Sequence, residues 1–427
     1  MLFLILVVLL LILLIIGLPV AFSLLLTSII LVMVEGTAPM IIVAQRLTNS
    51  MNSFPLLAVP LFILAAQVMN ESGATEQIFE FANLLVGKIT GGLGHVNVLA
   101  SMLFSGMSGS SVADASGLGL IEIEAMKKAN YPLPFAAAIT AASSTIGPII
   151  PPSVAMVIYG VISGSSISAL FLGGAIPGFL MGFSMMLIVY IIAKKRNIDN
   201  LYERPPVNEI IKIILNSIPA LFLPVIILGG IWGGIFSPTE AAAVAVAVSA
   251  LLGFFFYKEL SLKDIPKILF ESGLTTGTIM FIVAAANLYG WLITVERIPH
   301  LMQNFLLGVS QNRIIILLII NFILLIAGMF MEMIAILTIT VPVFLPIVTS
   351  LGVDPVFFGV LAVLNLMIGL LTPPFGISIY ILQRIAKVPF WEIVKEIIPF
   401  IIVLITLVII IVFFPNIVMF LPELILR

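Results

Sequence analysis

The sequence predicts an all-α polytopic membrane protein, and three observations carry that prediction. Of 427 residues, 62% are hydrophobic and 9% charged. A soluble domain carries roughly 25% charged residues, so this chain could not cover a globule with polar surface and must be solvated by lipid. Apolar stretches long enough to cross or enter a bilayer recur along its whole length. Its lysines and arginines gather on one side of those stretches. The same composition rules out a soluble enzyme, a nucleic-acid binder and a disulfide scaffold. A formal net charge of −2 suggests no polyanionic partner. With no cysteine, thiolate catalysis and Cys-based metal sites are excluded, and two histidines, His95 and His300, are too few for a transition-metal cluster. The N-terminal run MLFLILVVLLLILLIIGLPVAF lacks a basic leader and a small-x-small cleavage site, and reads as a retained span.

About ten crossings follow in order, at roughly 1–16, 20–34, 54–69, 134–163, 169–193, 213–235, 239–257, 273–295, 356–382 and 397–422. Gly17 and Pro19 divide the first two. Two further stretches, about 94–126 and 314–350, are interrupted near their middles, by Ser108-Gly109-Ser110-Ser111 and by Met331-Glu332-Met333. They read as re-entrant helical hairpins, whose irregular backbone survives at membrane depth only where protein or a wet cavity satisfies it. With the N-terminus outside, 14 of the 18 lysines and arginines fall inside; Arg46, Arg297, Arg313 and Arg427 fall outside. Stretches 70–88 and 298–312 carry polar and apolar residues at helical spacing. They read as interfacial helices placed to act as arms between each hairpin and a static frame.

The polar segment 194–212, cytoplasmic on this map, splits the chain into 1–193 and 213–427. Gly147-x-x-x-Pro151-Pro152 recurs 222 residues later as Gly369-x-x-x-Pro373-Pro374; Gly106-Met107 recurs as Gly328-Met329, and Pro132 as Pro355. Five crossings separate equivalent elements, so the halves form inverted repeats, each with a hairpin and a broken helix (134–163 and 356–382), an architecture of secondary transporters.

The chemistry concentrates at the breaks. Pro148, Pro151 and Pro152 lack amide donors and clash with the preceding turn, so the helix must open there. Opened half-helices free carbonyls that suit a hard cation such as Na⁺ and amides that suit an anion. Ser143, Ser144 and Thr145 add neutral hydroxyls, and the small residues at 105–111 let the first hairpin tip approach closely. Asp114 and Glu332 are intramembrane carboxylates, open to roles as ion ligands, proton carriers or acceptors bracing a tip. Glu122 and Glu124, beside Lys127 and Lys128, read as solvated or paired. Glu240 complements a helix dipole, and both histidines read as interfacial.

These motifs, SGMSGSSVADASG (105–117), Gly147 to Ser153, the paired Pro-Pro breaks and FSPTEAAA (236–243), together resemble the large membrane subunit of tripartite ATP-independent periplasmic (TRAP) transporters, over essentially the whole chain. The resemblance implies an elevator fold, in which a transport unit of hairpins and broken helices slides against a scaffold. It implies Na⁺-coupled uptake of an organic acid, of the sialic acid or C4-dicarboxylate class, across a bacterial inner membrane. It also implies a periplasmic substrate-binding protein and a small four-helix membrane subunit, here expected as a separate polypeptide because the chain starts at a crossing. Carried over by position, one Na⁺ site comprises Ser108, Ser110, Gly147, Ile150 and Pro152, largely through carbonyls. The second comprises Met331, Ala335, Gly369, Thr372 and Pro373. Asp114 and Glu332 match supporting carboxylates, and the substrate acid meets Ser143, Ser144 and Thr145. No catalytic residue and no organic cofactor is implied. The nearest rival is a stand-alone Na⁺-coupled dicarboxylate or citrate carrier. An intramembrane serine protease would need a base beside its serine, and an open channel fits closed hairpins poorly.

Overall fold

A computed structural model describes residues 2–36, 38–198 and 205–426, which are helix and connecting turn throughout. In the first half, α1 (Leu2–Ile15) and α2 (Val20–Glu35) part at Gly17, whose φ is +91°. They are followed by α3 (Ile41–Met51), which the hydropathy reading leaves out because half of its residues are polar or small. Next come α4 (Ala58–Glu71, entered through a tight turn at Phe54–Leu57), α5 (Ala74–Val86), α6 (Gly92–Ser108), α7 (Ser111–Ser116), α8 (Leu118–Lys128), α9 (Leu133–Ser144), α10 (Val154–Ser163) and α11 (Ile167–Arg196). The second half holds α12 (Val207–Trp232), α13 (Pro238–Leu251, continued by a π-helical turn to Tyr257), α14 (Ile265–Val295), α15 (Ile298–Val309), α16 (Arg313–Phe330), α17 (Met333–Ser350), α18 (Pro355–Gly369), α19 (Ile377–Ala386), α20 (Phe390–Phe413) and α21 (Asn416–Leu426).

Among the described residues, eight helices are long and apolar enough to cross a bilayer: α4 with its leading turn, α11, α12, α13 with its π turn, α14, α16, α17 and α20. The protein is therefore multi-pass. At 14 and 16 residues, α1 and α2 are shorter than an upright crossing needs. The expected crossings at 134–163 and 356–382 are each two half-helices, α9 with α10 and α18 with α19. One expectation is corrected: the stretch 397–422 is not a single span. It breaks at Phe414-Pro415 between α20 and α21, because Pro415 has no amide with which to continue the ladder. Segment 199–204, with Arg204, and Arg427 lie outside the described residues.

The breaks inside both hairpins fall where the small and polar residues stand. Gly109 takes the left-handed conformation that ends α6 (φ +58°), and Ser110 caps α7 by accepting the Ala113 amide. In the second hairpin Met331 and Glu332 are extended, and Glu332 caps α17 by accepting the Ile334 amide at 2.8 Å. The first hairpin has a second break, at Gly117 between α7 and α8.

Each half-helix leaving a Pro-Pro break packs on the other half of the molecule: α10 on α17, and α19 on α7 and α9. The two hairpins and two broken helices therefore interlock. The amphipathic helices sit between them and the remaining helices. α5 packs on α6 and on α12, and α15 packs on α17 and on α14. Long α14 also runs against α2, α3 and α4. Arg196 at the end of α11 pairs with Glu396 of α20 at 2.7 Å.

Candidate functional site

The two hairpin tips meet the two Pro-Pro breaks, and glycine decides how closely. A Cβ on Gly109 would lie 2.6 Å from the Pro152 carbonyl oxygen and 3.3 Å from the Ser153 Cα. A Cβ on Gly147 would lie 3.3 Å from the carbonyl carbon and oxygen of Ser110. No side chain fits at Gly109 without moving backbone, and its positive φ independently disfavours one. Four residues of the expected first ion site, Ser108, Ser110, Gly147 and Pro152, therefore gather at one junction. The Ser108 hydroxyl is buried and has no hydrogen-bond partner there. Ile150 belongs to the same break, with its side chain against Gly178 of α11. Among the described residues, no hydrogen bond reaches the carbonyls of Gly147, Ile150 or Pro152, whereas that of Pro148 accepts the Ser153 hydroxyl at 2.6 Å. Neutral oxygens without donors suit a hard, oxygen-seeking cation. Both Pro151-Pro152 and Pro373-Pro374 are cis.

At the second junction Gly328 and Gly369 touch backbone to backbone: a Cβ on Gly369 would lie 2.6 Å from the Gly328 Cα. Met331 stands at the tip beside Glu332. Thr372 donates its hydroxyl to the Ile368 carbonyl at 2.7 Å and its amide to that of Gly369 at 2.9 Å. Ala335 is buried inside α17, where its carbonyl accepts the Thr338 hydroxyl at 2.9 Å. Pro373 is half-buried, and Pro374 and Phe375 are exposed.

The hydroxyls expected to meet substrate are already engaged. Thr145 donates to the Ala142 carbonyl at 2.6 Å and Ser144 to that of Ala141 at 2.9 Å; Ser143 reaches the Asn97 side-chain oxygen at 2.7 Å. Ser144 alone turns to a tip, 3.2 Å from the Ser111 hydroxyl, which is also 3.5 Å from that of Ser378. Sequence reasoning missed Ser378. It follows the second break in the chain yet lands on the first tip, and no local pattern reveals that exchange.

Two expectations are corrected. Glu122 is neither solvated nor paired with lysine: it is 1% exposed, in the stripe Leu118-Gly119-Glu122-Ile123-Met126 that α8 buries. That stripe was the available signal. Glu124 does behave as expected, pairing with Lys128 at 2.9 Å on the exposed face, and that ammonium holds its carboxyl below the usual range. His95 is buried rather than interfacial, with its Nε2 3.2 Å from the Thr90 carbonyl. Asp114 is fully buried, 1% exposed. A cavity of about 740 Å³ bordered by Glu71, Glu76, Glu259 and Asp264 shares no residue with the tips, and its carboxylates would repel an organic acid.

Residues 7–417 match the family described as the DctM component of the tripartite ATP-independent periplasmic transporter. The chain is 44% identical to the sialic acid TRAP transporter large permease protein SiaM of Vibrio cholerae, over 96% of each. It is 40% identical to the sialic acid TRAP transporter permease protein SiaT of Haemophilus influenzae, over 96% of this chain and 67% of that one. It is 37% identical to the C4-dicarboxylate TRAP transporter large permease protein DctM of Pseudomonas aeruginosa, over 89% of each. In fold it resembles the crystal structure of the YdaH transporter of Alcanivorax borkumensis, with a TM-score of 0.65, 15% identity and 86% of each chain covered.

Proposed function

The chain belongs to the family of the DctM component, the large permease of TRAP transporters, and from that premise we propose that it carries an organic acid into the cell by Na⁺-coupled symport. The observation that carries the reading is the pair of glycine-tight junctions between hairpin tips and Pro-Pro breaks. Ser108, Ser110, Gly147, Ile150 and Pro152 would hold one Na⁺; Met331, Gly369, Thr372 and Pro373 a second, with Ala335 closing the first turn behind them. The ion supplies the positive charge that an anion needs beside it at membrane depth. At the first tip the surrounding oxygens are neutral, and at the second the Glu332 carboxylate, which caps α17, stands beside Met331 as a supporting group.

The substrate class is that of the relatives, sialic acid or a C4-dicarboxylate, docking where Ser111, Ser144 and Ser378 converge and where Ser143 and Thr145 stiffen the half-helix. The two hairpins with α9, α10, α18 and α19 form the moving unit, and α5 and α15 are its arms on the static frame. Residues 1–193 and 213–427 are its inverted repeats. Partners are a periplasmic substrate-binding protein and a small four-helix membrane subunit, in the bacterial inner membrane.

Proteoliposomes holding both membrane subunits should take up labelled sialic acid or succinate only with external Na⁺ and a loaded binding protein. Equal uptake driven by a proton gradient without Na⁺ would overturn the coupling. Uptake of free substrate without the binding protein would instead make this a stand-alone carrier.

A further inference from the structure

Below the first tip, where the hairpin packs on α9, lies a cluster of which the transport reading names Asp114 alone, as a support of the tip. Asp114 of α7 and Glu122 of α8 are each 1% exposed and flank Gly119, where a Cβ would lie 3.0 Å from the Thr140 Cγ2 and 3.7 Å from the Asp114 carbonyl oxygen. All four of their carboxylate oxygens are buried without a hydrogen-bond partner, and so is the hydroxyl of Ser101 on α6, also 1% exposed, which faces Asp114. Thr140 of α9 packs on the same turn of α8; its oxygen accepts the Asn97 amide at 2.6 Å and keeps a second lone pair. Among the described residues, neither carboxylate lies within ion-pair distance of a lysine, arginine or histidine. The break at Gly117 brings the two acids together: in an unbroken helix, side chains eight residues apart would diverge by about 80°.

Uncompensated buried carboxylates are among the costliest arrangements a protein can hold. The hairpin does not need them to fold. Positions 222 residues on from Ser101, Asp114, Glu122 and Thr140 are Ile323, Ile336, Phe344 and Ala362, all apolar, in α16, the unbroken α17 and α18.

We propose that Asp114, Glu122, Ser101 and Thr140 form a binding site for one hard cation, separate from the tips. The ligand set is oxygen throughout, which fits Na⁺ or a divalent ion such as Ca²⁺ rather than a soft transition metal. One divalent ion meets the charge of both carboxylates, and Na⁺ meets half of it. The Asp114 amide donates to the Ser110 carbonyl at 3.1 Å, so a cation bound here fixes α7 one turn below the tip.

The test is thermal unfolding of the purified full-length chain with its small subunit, in choline buffer with chelator, titrated separately with NaCl, CaCl₂ and MgCl₂. NaCl also acts on the tips, so the ion of this site is the salt whose stabilisation of wild type Glu122→Gln weakens. Glu122→Gln and Asp114→Asn should raise the midpoint concentration at least tenfold, and Ser101→Ala a few-fold. In ion-free buffer Glu122→Gln should unfold at a higher temperature than wild type, since it removes an uncompensated charge; at saturating ion the order should reverse. That crossover separates a cation site from a purely structural carboxyl. The proposal is overturned if Glu122→Gln titrates like wild type with every salt, or if Thr372→Ala alone abolishes the response.

Discussion

The two tip–break junctions share a backbone design and differ in almost everything else. At the first, every residue from Thr140 to Ser153 is buried, and serines and threonines line the seam. At the second, Pro374 and Phe375 are exposed, and the tip is held by Phe330 against Phe375, ring centroids 5.7 Å apart. The caps differ in the same sense: Ser110 holds α7 with a hydroxyl and Glu332 holds α17 with a carboxylate. Gly328 lies on Gly369, whereas a Cβ on Gly106 would meet the Pro224 ring of α12 at 2.8 Å. The lesson is that proline and glycine set where the helices open, and the neighbouring side chains decide whether the opening is sealed and polar or loose and apolar.

The sharpest way to break that comparison is at the tips themselves. Gly109→Val places a β-branched residue at φ +58° against the Pro152 carbonyl. Left-handed strain and overpacking together cost about 3 kcal/mol, so uptake should fall roughly 100-fold in variants that still insert and assemble. Met331→Ala, 222 residues on, should stay within about 3-fold, because it keeps the extended backbone of that tip and shortens only a half-buried side chain. Equal losses at the two positions would dissolve the distinction between a sealed and a loose junction. A smaller effect is expected at Thr372. Removing one neutral ligand hydroxyl costs about 1–2 kcal/mol, so Thr372→Ala should raise the Na⁺ concentration for half-maximal uptake roughly 5- to 30-fold. Substrate affinity of the binding protein should not change. An unchanged Na⁺ dependence would remove Thr372 from the second site. Smallest are the residues flanking the breaks. Ser153→Ala deletes the cap that accepts the Met156 amide and should cost about 1 kcal/mol, whereas Phe375→Ala loses only a half-exposed ring pair, about 0.5 kcal/mol. Chemical denaturation in detergent that ranked them the other way would refute the reading of the first junction as the better sealed.

Much of this architecture was legible in one dimension because its causes are local. Pro148, Pro151 and Pro152 crowd into one stretch and open the helix there, whereas lone prolines such as Pro177 and Pro399 stay inside α11 and α20, and Gly109 sits where the first hairpin bends. Met331-Glu332-Met333 reads as an interruption in an apolar run, and the second hairpin turns there. The last crossing was read too long because Pro415 sits in an apolar context that hydropathy averages away. Ser108, Ser110, Gly147 and Pro152 meet at one junction because Gly109 and Gly147 let the hairpin tip and the break approach, and those glycines stand in the sequence.

Sequence by itself determined that lipid is the solvent, that the helices open at two matched Pro-Pro sites, and that two hairpins point their small or irregular segments at them. Tertiary structure decided which side chains share a space. Glu122 and Glu124 stand two residues apart, on opposite faces of one helix, beside the same lysines. Only the packing of α8 on α6 and α9 buries one and leaves the other in an ion pair at the surface. Likewise Ser378 reaches Ser111 across 267 residues because α19 crosses to the first hairpin. Burial and partnership are properties of the whole fold, set by which helix faces meet, and helical periodicity specifies the faces without naming the neighbours.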